Sequence, residues 1–541
     1  MRLTSRSTRR GAAGLALGLG LGALAVLGHE APLARASPTQ ISIMMDDDSV
    51  LYAPESRRLD VLQQMKRLGV DYVRATVLWS VVARGTRNPR THPSFDPTNP
   101  RAYPPSNWYP YDQLLKDAAQ VGLSVYFNIT GPGPAWAMGT TTDQKLKKAY
   151  LPDAVQFGNF VRAVGTRYSG NYPFGAGNPV NYPRMSMWSI WNEPNWPTWL
   201  APQTIYSPDL HRVIPYSPIL YRRLVYAARQ GLDASGHQAD AVMIGETQPH
   251  GGDPTDPRTP MRPAEFIREL FCVDHALRPL HGVEASGRRC GIFHRLGPMR
   301  ISDFAHHPYT TNQPPGWTDS NPDSITLGNI SALPRLLDGI AANTHRLPSG
   351  LPVMITEMGW SSNPPNPYRG VPLAEQAAWL NESDYLAWRQ PRVMSMAQFL
   401  LRDSPPRYGA PKGSFTYWST FQTGLAYLNG KRKPSYYAYA MPVWIHPGHD
   451  SHGHGRVRLW TQVRFRKDPT GPALPDYVVF QFKPRGAKSF HAVTGRLALS
   501  PYGFVEAIQS LAPYARGGTF QAYWVGPVVP FLYFSRTVAF P

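Results

Sequence analysis

The chain has 541 residues, too long for one ordinary domain but long enough for a barrel of about 250 residues or more with a small companion. Aromatic residues make up 12% of it, with 15 Trp and 28 Tyr, which supplies a large core and leaves rings for exposed surfaces. The formal charge is +19, and +15 once residues 1–36 with their five Arg and one Glu are set aside; no basic run with interleaved aromatics accompanies it, which argues against nucleic-acid binding and for a basic soluble protein.

In chain order, the N-terminus has an Arg-rich start, an apolar Ala/Gly/Leu run from Ala12 to Leu27 and the small-residue site Ala34-Arg35-Ala36 before Ser37. This is the pattern of a cleaved export signal over residues 1–36, with an uncleaved membrane anchor as the alternative. Arg9-Arg10 admits the twin-arginine route beside the general one, although Gly11 and Ala12 match its usual apolar requirement poorly. The chain is therefore expected outside the cell, without stable membrane insertion.

From there to about residue 440, short apolar strand candidates alternate with helical patterns. The strands are Ile41–Met45, Tyr72–Val77, Ser124–Ile129, Met185–Trp191, Ala241–Gly245, Ile301–Ala305, Pro352–Thr356 and Ser414–Ser419. Leu59, Leu62, Met65 and Leu68 recur at helical spacing and stop at Gly69; Leu114, Leu115, Ala118 and Val121 stop at Gly122. Further helical runs cover Tyr221–Gln230, Leu333–Ala342 and Ala374–Trp388. No Gly-rich phosphate loop follows the first strand, so the alternation predicts a (β/α)8 TIM barrel over residues 37–440 and not an open doubly wound sheet.

Cys272 and Cys290, with seventeen residues between them, are the only cysteines; in an exported chain they pair as a disulfide, with two core thiols as the alternative. Residues 441–455 read as a His/Gly-rich linker, where His446, His449, His452 and His454 lack the i, i+4 spacing of a fixed metal site. Residues 456–541 carry period-two segments at Val457–Phe465, Tyr477–Phe482 and Thr519–Trp524, which predicts a small all-β sandwich-like domain.

The chemistry is concentrated in Trp191-Asn192-Glu193-Pro194-Asn195, which follows the apolar run Met187-Trp188-Ser189-Ile190. A carboxyl group at a strand end fits glycosidic-bond cleavage, but that reaction needs a second one. Barrel chemistry sits at the C-terminal ends of strands, so the partner is sought among acids that follow strand candidates. Glu357, after Val353-Met354-Ile355-Thr356, is the best placed; Glu246 after the fifth strand and Asp46, Asp47 and Asp48 after the first are rivals.

Trp191-Asn192-Glu193-Pro194-Asn195 on the fourth strand, with Ile355-Thr356-Glu357-Met358-Gly359-Trp360 on the seventh, resembles glycoside hydrolase clan A, and most closely its families 5 and 39, over roughly residues 40–440. The resemblance implies that Glu193 is the general acid/base and Glu357 the nucleophile of a retaining enzyme. It also implies that Arg74 and Tyr309 support the nucleophile, that Asn192 holds the sugar 2-hydroxyl, and that Trp418 on the eighth strand floors the reacting sugar. Either His306 or His307 would face inward. Trp136, Trp196, Trp199, Trp317 and Trp360 are candidate stacking platforms in loops after strands, with packing under neighbouring loops as the alternative.

The expectation is a secreted retaining glycoside hydrolase, monomeric, acting on a carbohydrate substrate without a cofactor or metal. A transglycosylase on the same scaffold and a non-catalytic carbohydrate-binding protein are the rival readings. Sugar identity and endo or exo action are left open, as is the role of the C-terminal domain.

Overall fold

The computed structural model describes residues 36–174, 180–449, 452–466, 476–527 and 532–541; the signal-like stretch up to residue 35 lies outside them. Among the described residues, no helix is long and apolar enough to cross a membrane.

Eight short, mostly apolar runs pair in parallel: β1 (Ile41–Met45), β2 (Tyr72–Leu78), β3 (Ser124–Thr130), β4 (Met187–Ile190), β5 (Ala241–Thr247), β6 (Asp303–His306), β7 (Val353–Ile355) and β8 (Val393–Phe399). They close into a barrel in the order β1-β8-β7-β6-β5-β4-β3-β2. The barrel and its helices are the TIM architecture that the alternation predicts. Seven strands fall on the predicted runs, but the eighth does not. Ser414–Ser419 is a turn in the long segment after β8, where Trp418 N donates to Ser414 O and Ser419 N to Thr416 O, so that backbone bonds locally instead of in a ladder. The true eighth strand is the Met-rich Val393–Phe399, paired with β1 from Ile41↔Ser395 to Met45↔Phe399.

Side chains alternate across each strand, and this sorts the barrel interior into layers. Ile43, Tyr126, Met243, Ala305 and Met354 fill one apolar layer, fully or almost fully buried. Two residues further along several strands the inward positions turn polar: Arg74, Asn128, Ser189 and Thr356 are all buried. The odd-numbered outward residues of β2 and even-numbered ones of β4, such as Val73, Val77, Trp188 and Ile190, pack under the helices.

The helices follow their sequence signals. Helix α1 (Glu55–Arg67) runs into Gly69 at φ +80°, and α2 (Pro105–Val121) is capped by left-handed Gly122. Gly69 has a second reason to be glycine: a Cβ there would stand 2.2 Å from the Arg464 carbonyl oxygen. The other main helices are α3 (Ala154–Arg167), α4 (Ser217–Ala234), α5 (Pro263–Leu270), α6 (Ala332–Thr344), α7 (Leu373–Trp388) and α8 (Pro434–Ala440). Cys272, just past α5, is disulfide-bonded to Cys290.

The stretch read as a linker is a β-hairpin. Strand β9 (Val443–His449) pairs antiparallel with β10 (Gly455–Gln462), His446 opposite Arg458 and His449 opposite Gly455. Val443 and Ile445 point into a core while His446 and His449 take the exposed side and tip, which is why the composition resembles a connector. Strand β12 (Phe504–Ser510) completes this sheet on β10. A second antiparallel sheet joins β11 (Tyr477–Pro484), β13 (Gly518–Val525), β14 (Leu532–Phe534) and β15 (Val538–Phe540). Val457, Leu459 and Val505 of the first sheet share a core with Phe480, Phe520 and Trp524 of the second, the arrangement of a sandwich.

This module is fastened to α7 and α8. Arg464 forms a buried ion pair with Asp384 at 2.8 Å and lies 3.9 Å over the Tyr439 ring. Arg536 Nε donates to Asn381 Oδ1 at 2.7 Å. Trp388 and Tyr385 pack against Trp460 and Phe504. Trp388 ends α7 just before β8, and Gly69 precedes β2, so these contacts lie at the N-terminal end of the barrel. Conserving that end for stability and the other for chemistry is the usual division of a TIM barrel.

Candidate active site

At the end of β4 the chain leaves the strand abruptly. Trp191 takes φ +67° and Glu193 φ +37°, both in the left-handed region that costs a non-glycine residue free energy unless its surroundings enforce it. They are enforced. Trp191 N donates to Ile129 O, its indole Nε1 to Trp199 O, and its ring packs edge-on to Phe157 at 5.0 Å. Glu193 N donates to Glu246 O at 3.0 Å, and Asn192 N to the Thr130 hydroxyl. The tryptophan of the motif is thus a core anchor, and it frees the next two residues to face the barrel mouth.

Glu246 enters by a different device. The pairing of β5 with β6 shifts register between Gly245 and Thr247. Such a bulge re-aims one side chain, here Glu246 at φ +47°. Gly245 sits at φ +105°, and a Cβ on it would meet Ala305 O at 2.5 Å.

These strand ends assemble one network. Arg74 Nη1 lies 2.9 Å from Glu357 Oε1, and its Nη2 donates to Asn192 Oδ1 at 2.8 Å and to Glu246 Oε2 at 3.2 Å. The Tyr309 hydroxyl donates to Glu357 Oε2 at 3.1 Å. His307 spans the site, with Nδ1 3.0 Å from Glu193 Oε1 and 3.8 Å from Glu357 Oε2, and Nε2 2.6 Å from Glu246 Oε2. Thr356 and Ser189 donate their hydroxyls to Glu246. Arg74, Glu246 and His307 are fully buried, whereas the Glu193 side chain keeps 18% of its exposure.

The carboxyl groups are differentiated by this setting. Burial raises the pKa of Glu193, the Glu357 charge adds to the rise, and His307 opposes it. Glu246 is also disfavoured as an anion by burial, but Arg74 and His307 outweigh that and hold it down at about 2. Burial alone would neutralise His307, yet Glu357, Glu193 and Glu246 together raise it to about 10. With two cations facing three carboxyl groups, the site is neutral when one of the three keeps its proton, and Glu193 is the one so disposed.

The choice between the two histidines is settled by register. His306 gives its ring nitrogens to the Thr247 hydroxyl and Ile325 O, and burial pushes its pKa down to about 3. The first-strand acids stand apart from the network's hydrogen bonds. Asp46 accepts from Ser49 N and Arg402 N, Asp47 from Thr76 N and Asp48 from the Ser404 hydroxyl.

Of the aromatic candidates, Trp360 is a core residue, 1% exposed, whose indole is bonded to Thr310 and Gln313 O. Trp136 packs on Trp79 and Phe95 and donates to the Thr86 hydroxyl, with no ring or hydrogen-bond contact to the carboxylates. Trp418 is edge-on to Tyr417 in the segment after β8 and not on the eighth strand itself. The aromatic that β8 does bring is Phe399, edge-on to Tyr309 and to Phe421, which is 56% exposed. Phe399 carries no strand signal in the sequence, because Val393–Phe399 mixes Ser395 and Gln398 with its apolar residues.

The facing atoms of Glu193, His307 and Glu357 all lie within 4.8 Å of one another. That spacing would also suit a cation; both ring nitrogens of His307 lie within hydrogen-bond distance of carboxylate oxygens, Nδ1 of Glu193 and Nε2 of Glu246. A separate hollow of about 400 Å³ on the outer face of α4 is lined by Arg222, Arg223, Arg289 and Arg295 with Tyr216, Ile219 and Ile292. It contains no carboxyl group and so no acid or nucleophile for this chemistry.

No family model and no curated protein matches the sequence. Similar solved structures include the exo-beta-1,4-mannosidase Op5Man5 from Opitutaceae bacterium strain TAV5, 16% identical over 74% of this chain and 58% of that one, with a TM-score of 0.38. They include also GH5_18 from Streptomyces cattleya in complex with GlcNAc, 16% identical over 74% of this chain and 78% of that one, TM-score 0.41. A third is GH5_18 from Bifidobacterium longum subsp. longum ATCC 55813, 12% identical over 74% and 78%, TM-score 0.42. The chain spans little more than half the length of the mannosidase. Independently of these likenesses, the closed parallel barrel with glutamates after its fourth and seventh strands fits the clan A arrangement that the sequence resembles.

Proposed function

We propose that the chain is a secreted retaining glycoside hydrolase, with Glu193 as acid/base and Glu357 as nucleophile. The observation that carries this reading is that one carboxyl oxygen of each lies within 4.8 Å of the other, with both facing His307. A retaining pair stands about 5 to 5.5 Å apart, whereas an inverting pair stands about 6.5 to 9.5 Å apart to hold a water between its members.

The roles follow from the contacts. Glu357, with one oxygen on Arg74 and the other on Tyr309, is supported as the attacking carboxylate. Glu193, whose pKa burial raises, keeps a proton for the departing oxygen. Asn192, fixed by Arg74, is placed to bond a sugar hydroxyl as oxocarbenium character develops. The exposed Phe421 beside Phe399 offers a face for a sugar ring. Export is supported by the N-terminal sequence pattern and by the Cys272–Cys290 disulfide.

The test is a panel of 2-deoxy-2-fluoro aryl glycosides differing in sugar, followed by peptide mass analysis, with the anomer of the first product read by NMR. The expected result is one glycosylated peptide labelled at Glu357 and a product of retained configuration. An inverted product, or a label on another carboxylate, overturns the reading. Release into water or onto an added sugar separates hydrolysis from transglycosylation in the same experiment.

A further inference from the structure

Glu246 has no part in the two-carboxylate reaction, yet it is fully buried in the middle of the site and surrounded by donors. Arg74 Nη2 at 3.2 Å, the Thr356 hydroxyl at 2.7 Å, the Ser189 hydroxyl and His307 Nε2 at 2.6 Å all point at its two oxygens. A carboxyl group so surrounded is an anion, because a proton on it would meet another proton in every direction.

That anion constrains the histidine. A neutral imidazole carries one proton, and the contact with Glu246 claims it at Nε2. Nδ1 would then present a bare lone pair to Glu193 Oε1 at 3.0 Å and Glu357 Oε2 at 3.8 Å. A doubly protonated ring satisfies all three neighbours. We propose that Glu246 is a positioning residue that keeps His307 doubly protonated, so that the His307 Nδ1–H occupies Glu193 Oε1 and confines the acid proton of Glu193 to Oε2.

The groups acting on His307 are Glu193 after β4, Glu246 from β5 and Glu357 after β7, with His306 and Tyr309 on its own segment, while Arg74 from β2 and Tyr126 from β3 face the same carboxylates. Only Arg74 among them is a cation, and its terminal nitrogens are engaged by Asn192, Glu246 and Glu357. The carboxylates therefore dominate the field at the ring, in keeping with a His307 pKa near 10 despite its burial.

The catalytic consequence rests on the glycosidase reading. In the first step Glu193 Oε2 gives its proton to the glycosidic oxygen, the C1–O bond breaks with its electron pair on that oxygen, and a Glu357 oxygen bonds to C1. In the second, the Glu193 carboxylate takes a proton from water, the water oxygen bonds to C1, and the C1–O bond to Glu357 breaks with its pair returning to the carboxylate. His307 keeps both protons throughout. Its charge makes the buried Glu193 anion of the intermediate tolerable, while its bond to Oε1 directs the reacting oxygen.

The experiment is nitrogen NMR of ¹⁵N-histidine-labelled protein without substrate, with the His307 signal assigned by its loss in His307→Asn. Both ring nitrogens are expected to stay protonated between about pH 6 and 8, and a bare nitrogen at pH 7 overturns the proposal. In Glu246→Gln the ring should titrate within that range, and the alkaline limb of kcat/KM should move up by about one pH unit as Glu193 loses its cationic neighbour. A ring still charged, with an unmoved limb, also overturns it. If Glu246→Gln does not fold, the wild-type spectrum decides alone. A charged His307 in a protein that cleaves no glycoside would leave this inference standing and remove the proposed function; a neutral one in an active glycosidase would do the reverse.

Discussion

The barrel buries ionic groups at both ends, and the two clusters differ in their balance. At the C-terminal end, Arg74 and His307 face three carboxyl groups, so one acid is in surplus and must keep a proton. At the N-terminal end, Arg464 is ion-paired with Asp384, with the Tyr439 ring beneath the guanidinium. An acid in surplus is a reagent. A matched pair is a fastening, and here it holds the β-sandwich module to α7. The location of that fastening, at the opposite end of the strands from Glu193 and Glu357, favours a supporting role for the module over one in the catalytic mouth.

The largest expected effect tests the surplus end. Glu357→Gln should lower kcat on an activated aryl glycoside by at least about 10⁴-fold while the thermal midpoint stays the same or rises, since a buried charge has been removed. Near-wild-type turnover would break the comparison at its root. Glu193→Ala should slow hydrolysis by about 10²- to 10⁴-fold, with azide restoring turnover of substrates whose leaving group needs no acid; absence of azide rescue would count against its acid/base role.

The matched end should respond in stability and not in rate. Arg464→Met removes the guanidinium from the buried Asp384 and should cost about 3 to 5 kcal/mol in denaturant unfolding, with kcat unchanged. Arg464→Met with Asp384→Leu should recover most of that loss, and a double variant no better than the single would show that the loss does not come from the ion pair. Reducing the Cys272–Cys290 bridge should cost about 3 kcal/mol for a loop of this size, again with activity kept at temperatures below unfolding. Loss of activity ahead of unfolding would tie that loop to the site.

Acid sharpens the comparison further. The folded Glu246 pKa, near 2, lies below its ordinary value of 4.5, so it contributes stability that is present above 4.5 and lost as pH falls towards 2. The difference amounts to about 3 kcal/mol at most, and acid titrations of wild type and Glu246→Gln should converge by that amount over this window. Parallel curves would mean that Glu246 is not held as an anion.

Much of this was legible along the chain because it depends on local periodicity. Short apolar runs alternating with helical patterns located seven barrel strands, and glycines at left-handed caps ended α1 and α2 at Gly69 and Gly122. Glu193 and Glu357 could be paired because each follows such a run, and strand ends are where a barrel displays its chemistry. The eighth strand was obscured because Val393–Phe399 mixes methionines with Ser395 and Gln398, while the aromatic-rich Ser414–Ser419 looks more like a strand than it behaves. Phe399 was missed for that reason, and Trp418 was assigned to a strand when it lies in the segment after β8. The His/Gly tract 446–455 misled in the same way, since an exposed hairpin tip and a linker share one composition.

The sequence by itself determined the alternation of elements, the cap positions and the two glutamates that follow the fourth and seventh strands, all of which depend on neighbours within a turn or a strand. The tertiary structure alone decided which histidine faces the site, that Glu246 turns inward at a bulge, and that Arg74 and His307 stand against three carboxyl groups. Those facts depend on register between strands far apart in the chain. A one-residue shift there sends a side chain to the other face of the barrel, and nothing local to the residue records which way it went.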